Sequence, residues 1–133
     1  MSGSETSRVL AGQGNADPAS RVASSMGNAN ALRHGIGGMY FESKQYRQAA
    51  AEFAEVVNEH PDNVGARMLL ARSYYHSAQL GRAEAQLREV LERDPNEDYA
   101  HLMLARTLER QSRAAEATPH RRIVEALTGQ PAP

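Results

Sequence analysis

Between Val64 and Glu97 the apolar side chains fall into two runs. Leu70, Ala71 and Tyr74 keep the i, i+1, i+4 rhythm of one helical face. After Ser77-Ala78-Gln79, a second stripe follows with Leu80, Ala83, Leu87, Val90 and Leu91. The pattern predicts two helices joined by a turn at Ser77-Ala78-Gln79. Asn63 stands where its side chain can accept an orphan N–H of the first turn. Pro95 stops the second helix, because the residue before a proline is pushed out of the α region. Each helix has only one apolar face, so a single pair cannot bury its own surface and pairs must stack.

The neighbouring sequence copies this unit. Pro61 and Pro95 are 34 residues apart. One period back, Ile36-Gly37 and Tyr40 lie over Leu70-Ala71 and Tyr74, while Ala49 and Phe53 lie over Ala83 and Leu87. Val56 matches Val90, and Ser43 matches Ser77. One period forward come Leu104-Ala105 and Leu108, then Ala117, Arg121 and Val124. The chain thus resembles the tetratricopeptide repeat family, with about three repeats from Asn30 to Leu127. The resemblance implies an all-α, right-handed superhelical solenoid of stacked antiparallel helix pairs. Gly37, Ala71, Ala105, Ala49, Ala83 and Ala117 allow close approach of neighbouring helices. Tyr40, Tyr74, Phe53 and Leu87 fill the gaps. Two departures stand out. Arg33, Arg67 and His101 occupy the place of the family's tryptophan, and Arg121 stands where Phe53 and Leu87 do.

Outside the repeats the pattern weakens. Residues 1–29 read largely as a disordered tail. Asp17-Pro18 either opens a short helix over 18–26, ended by Gly27 and Asn28, or belongs to that tail. The first repeat helix is expected from Asn30 to Ser43, and the next from Tyr46 to Asn58. Asn96 is expected to cap the third repeat. Pro119 lies inside the last helix, Arg113 to Leu127, which is expected to continue through it with a slight bend. Residues 128–133 form a flexible end. No separate capping helix follows Leu127. Either the polar His120, Arg121 and Arg122 shield the last repeat, or Ile123 and Leu127 pair with a second chain.

Composition narrows the function classes. The net charge of −1 gives no broad footprint for nucleic acid. There is no cysteine, hence no disulfide and no thiolate metal site. Apolar runs are too short to span a membrane. No apolar core of a signal peptide occurs near the start, so a cytoplasmic location is expected. Lys44 is the only lysine among many arginines, as in GC-rich bacterial genomes. No cofactor is expected. No two of His34, His60, His76, His101 and His120 have the spacing of a helical zinc pair, so no metal site is expected. Ser73 and His76 lie one turn apart, but no third member of a triad is nearby. The chain is not expected to be an enzyme.

In the family, the first helices of successive repeats line a concave groove. The resemblance places His34, Gly38 and Phe41 there from the first repeat. It adds Met68, Arg72, Tyr75 and His76 from the second, and Leu102, Arg106 and Arg110 from the third. Leu69 and Met103 are expected instead to fill gaps between helices. Methionine and forked arginines suit a peptide segment of a partner protein that carries apolar side chains and carboxylates. The lysine and asparagine by which some members grip a C-terminal carboxylate are replaced by His34, Gly38, Gly65, Leu69 and Met103. Binding to the major heat-shock chaperones is therefore not expected. The implied function is an adaptor, scaffold or assembly factor. The alternative is a self-associating structural subunit that uses its last repeat. Repeat three is slightly basic and repeat one acidic, which would favour weak head-to-tail contacts.

Overall fold

The computed structural model describes residues 18–133, with side chains from residue 28 onward. Of the disordered tail expected over residues 1–29, residues 1–17 lie outside the described residues; residues 18–29 are helical, so the helix expected to start at Asn30 starts at Pro18. The chain divides into two compact units, residues 1–32 and 33–133, and the helix stack belongs to the second. Six helices are described: α1 (Pro18–Glu42), α2 (Tyr46–Glu59), α3 (Val64–His76), α4 (Leu80–Arg93), α5 (Asp98–Arg110) and α6 (Ala114–Thr128). No strand occurs among the described residues.

One local device sets how each pair is joined. Lys44, Ala78 and Ser112 all have φ of 60°, and they are spaced by one repeat. Around each, two backbone hydrogen bonds close the helix end. Gln45 N donates to Tyr40 O and Lys44 N to Phe41 O. The same bonds run from Gln79 to Tyr74 and from Ala78 to Tyr75, then from Arg113 to Leu108 and from Ser112 to Glu109. This is the Schellman arrangement, which satisfies orphan carbonyls and turns the chain back. Glycine is the usual occupant of the left-handed position. Here three other residues hold it.

The next helix starts are also periodic. Asn63 Oδ1 accepts from Ala66 N at 3.0 Å, as the sequence suggested. Asn96 does not cap α5. The cap is Glu97, which accepts from Tyr99 N, because the repeat carries the cap position from 63 to 97. Gly27 and Asn28 do not end a short helix, since α1 runs through both. A mid-helix glycine costs about 0.8–1 kcal/mol but keeps its backbone hydrogen bond. Helix α6 likewise continues through Pro119 and ends at Gly129, whose φ is 71°.

The core is built where small residues meet large ones. Ala49, Phe53, Val56 and Leu70 form one buried cluster, with Tyr40 and Tyr74 packed on it. Ala71, Leu87, Val90, Leu104, Ala105, Leu108 and Ala117 form the other. Phe53 and Leu87 have no exposed surface, and burying each contributes about 1.5–3 kcal/mol. A Cβ on Gly37 would come 2.8 Å from the Phe53 ring, whereas a Cβ on Gly35 or Gly38 meets nothing within 4 Å. Arg121 takes no core place. Its guanidinium meets both carboxylate oxygens of Glu109, at 2.8 and 2.7 Å.

The departures at the tryptophan position are solved by polar groups. Arg67, 7% exposed, donates to Gln86 Oε1 and to Pro61 O, both at 2.8 Å. His101, 6% exposed, meets Pro95 O at 2.7 Å and His120 at 3.0 Å. Each partner is shifted by one repeat from its counterpart. The proline that closes one repeat thus offers its carbonyl to the first helix of the next.

Ala78→Gly and Ser112→Gly should each raise stability by about 0.5–1 kcal/mol, because glycine relieves the left-handed strain. Gly37→Ala should lower stability despite its better helix propensity, through overpacking of about 1–3 kcal/mol. Gly38→Ala should instead stabilise by about 0.8–1 kcal/mol. Urea unfolding of the four variants checks the signs.

Candidate partner-binding groove

Helices α1, α3 and α5 are the first helices of their pairs, and α3 contacts α5 directly. Side chains from successive first helices meet on this side. The Arg72 guanidinium sits 4.8 Å from the Phe41 ring centre and 5.7 Å from that of Tyr99. Arg110 lies 4.8 Å over Tyr75 and donates to the Tyr75 carbonyl at 3.1 Å. His76 stacks on Tyr46 at 4.6 Å and meets Phe41 and Tyr75 edge-on. Cation–π contacts of this kind contribute about 0.5–1 kcal/mol in water and about 2 when desolvated.

Phe41, Arg72, Tyr75, His76 and Arg110 therefore form one connected cluster. The other expected groove residues stand apart from it. His34 turns its edge to the core ring of Phe53 at 5.5 Å. Met68 packs against the core cluster that holds Ala71 and Leu104. Gly38 leaves open space. Leu102 and Arg106 are half-buried and make no hydrogen bond or ring contact with the cluster among the described residues. Met103 is core, 3% exposed, and Leu69 packs against the first core cluster, as expected. Two members of the cluster escape the sequence pattern. Tyr99 lies one period from Gly65, and Tyr46 lies on a second helix.

The charge on this side is unbalanced. Arg88, Arg93, Arg113 and Arg121 all pair with carboxylates. Among the described residues Arg72, Arg106 and Arg110 pair with none. Arg72 Nε is buried and donates to nothing. The pKa of His76 is lowered, first by burial and then by Arg72 and Arg110. Ser73, one turn away, is fully buried and its Oγ donates to Leu69 O at 2.7 Å. It is no nucleophile. Thr107 repeats that bond to Met103 O one period later.

Away from this cluster, His101 and His120 form the other histidine contact. Pro95 O can only accept, so His101 Nε2 carries a proton. In the neutral pair the Nδ1 of His101 is then bare, and His120 Nδ1–H donates to it. The pKa of His120 is lowered by burial, then by His101 and Arg88. Among the described residues no group of three or more His, Asp or Glu side chains is placed to hold a metal ion. None of the described helices is long and apolar enough to cross a membrane.

Stacked helix pairs joined by a left-handed turn every period define a helical-repeat fold. The tetratricopeptide repeat family matches residues 40–107, just over half of the chain, and the chain belongs to that family. Its right-handed solenoid agrees with solved structures. MamA from residue 41 to its end, from Desulfovibrio magneticus RS-1, superposes with a TM-score of 0.72 at 24% identity, covering 90% of this chain and 70% of that one. MamA AMB-1 gives 0.74 at 22% identity over 83% of this chain and 60% of that one. The first tetratricopeptide domain of Spaghetti (RPAP3), bound to the HSP90 peptide SRMEEVD, gives 0.71 at 16% identity, over 76% and 80%. No curated protein sequence matches the chain.

Both lowered histidines favour the neutral form in the folded state. Their contribution is fully present above the ordinary histidine value of about 6.5 and is lost as the pH falls through the folded values. His76→Gln and His120→Gln should each reduce the loss of stability on mild acidification. Thermal melts across that range would check this. At residue 120, a glutamine side-chain N–H would replace the His120 Nδ1–H that donates to His101.

Proposed function

We propose that this chain is a non-enzymatic protein-interaction module, an adaptor or assembly factor. Its groove receives a peptide segment of a partner protein that carries apolar side chains and carboxylates. The observation that carries this reading is Arg72, whose guanidinium lies against the rings of Phe41 and Tyr99 and pairs with no carboxylate among the described residues. A charge-assisted bond from a partner's acid to such a group contributes about 1.5–3 kcal/mol. Around it, Tyr46, Tyr75 and His76 offer ring faces for apolar side chains. Residues 30–127 are the interacting domain, and a cytoplasmic setting suits it. The acidic peptide held by the Spaghetti (RPAP3) domain supports the use of this fold for such a segment. The residues that would grip a chaperone tail are absent here, so the partner is of another kind.

A second reading rests on α6. Ile123 and Leu127 are 36% and 43% exposed on its outer side. Together they offer an apolar strip through which a second copy would associate.

Crosslinking with affinity capture and mass spectrometry identifies the partner, and calorimetry measures its affinity. Arg72→Ala/Arg106→Ala should bind it at least about tenfold more weakly, some 1.4 kcal/mol, with an unchanged helical spectrum. Equal affinity would sink the groove. For the second reading, light scattering should show a dimer that Ile123→Glu/Leu127→Glu converts to monomer. A wild-type monomer at high protein concentration and low salt would remove it.

A further inference from the structure

A second charged site lies on another side of α3. Arg67 is five residues before Arg72, and so about 140° around the helix from it. A cleft of about 380 Å³ opens there, lined by Ala54, Val57, Asn58, Arg67, Leu70 and Tyr74, with Pro61 and Gln86 at its edge. We propose that this cleft binds a carboxylate group, with Arg67 as its counter-ion. The site is distinct from the groove and does not depend on it.

The buried guanidinium is the starting point. Arg67 is more than nine-tenths buried and keeps its charge at any physiological pH. Gln86 Oε1 and Pro61 O take two of its five N–H donors, and both are neutral acceptors. Its Nε donates to nothing. No carboxylate lies within ion-pair distance of it among the described residues. Glu89 feels its field but is held by Arg93 at 2.8 Å. A buried cation without a partner is strongly destabilising unless something supplies the opposite charge.

The chain contains its own comparison. One period on, the same cleft recurs at about 320 Å³, lined by Arg88, Leu91, Glu92, Pro95, His101 and His120. Its central pair can be neutral, and Glu92 supplies a carboxylate on its wall. The corresponding wall residue beside Arg67 is Asn58. Arg88 of that second cleft pairs with Glu84, so the cleft whose arginine has no ion pair among the described residues is the one without an acid in its lining. Next to it, a smaller hollow shares Ala54 and Tyr74 and adds Arg47 and Arg82, again with no acid in its lining. Among the described residues neither arginine forms an ion pair, and Arg82 donates to Gln79 alone. Asn58 and Tyr74 bring further side-chain donors that engage no group among the described residues. Ala54, Val57 and Leu70 suit the aliphatic stem of a glutamyl side chain or of a small free acid.

The test follows the Arg67 Nε–H signal in proton–nitrogen spectra of the full chain. N-acetylglutamate amide should shift it saturably, while N-acetylglutamine amide and chloride at equal ionic strength should not. Propionate serves as the free-acid arm. A response to propionate equal to that of the amide assigns the site to small acids, and a response to the amide alone assigns it to a protein side chain. Asn58→Glu should show the signal already shifted and bind the probe at least about tenfold more weakly, the ratio expected when one charged contact is taken. Arg67→Gln should remove binding, and if it fails to fold, the Asn58→Glu arm still decides. The proposal is overturned by no saturable shift, by equal shifts from chloride or the glutamine probe, or by undiminished binding in Asn58→Glu.

Discussion

The left-handed residue between the two helices of each pair governs this structure. Lys44, Ala78 and Ser112 sit at the same φ and close the same two backbone bonds. That closure fixes the direction in which the second helix returns. It therefore fixes which residues of the pair face one another. With the turn held constant, Gly37 and Ala71 on the first helices of the first two pairs meet Phe53 and Leu87, each sixteen positions later on the second. The apolar stripes then lie between neighbours, not toward water.

The polar network follows the same register. The carbonyl of the residue that breaks one second helix becomes the acceptor for the buried side chain of the next first helix, once for Arg67 and once for His101. The ring nitrogens and guanidinium do here what an indole would do by bulk. They tie the loop to the helix by direction and not only by contact. Glu84 extends the tie across repeats. Burial alone would raise its pKa, but bonds from Arg113, Gln111 and Arg88 hold it low. It fastens α4 to the loop that opens α6.

Much of this was legible in the residues. Small and large side chains at fixed offsets gave the helices, the turns and the core, because packing at close approach tolerates few alternatives. Asn63 was readable as a cap, but Asn96 misled. Composition favoured asparagine, whereas the register placed Glu97 at the helix start. Gly37 was legible as a packing residue because a large partner stood at the right offset in Phe53. The groove was only partly visible. The first-helix positions gave Phe41, Arg72, Tyr75, His76 and Arg110, but Tyr99 was hidden behind the small Gly65 of the repeat before. Tyr46 was missed because it enters from a second helix. The contact of His101 with His120 spans 19 residues and two helices, so no local spacing announces it.

The exchange of a core ring for Arg121 at the end of the array has a further consequence. In the two earlier pairs a fully buried Phe53 or Leu87 locks the second helix in place. In α6 only Ala117 and Val124 are buried, and the remaining grip is polar, from the Arg121–Glu109 ion pair and the His120–His101 contact. Each unit of a solenoid is held by its own packing and its neighbours', so the array should not open all at once. Its amides are expected to lose protection from the last helix inward, with α6 detaching as a cooperative piece while the middle pair stays closed.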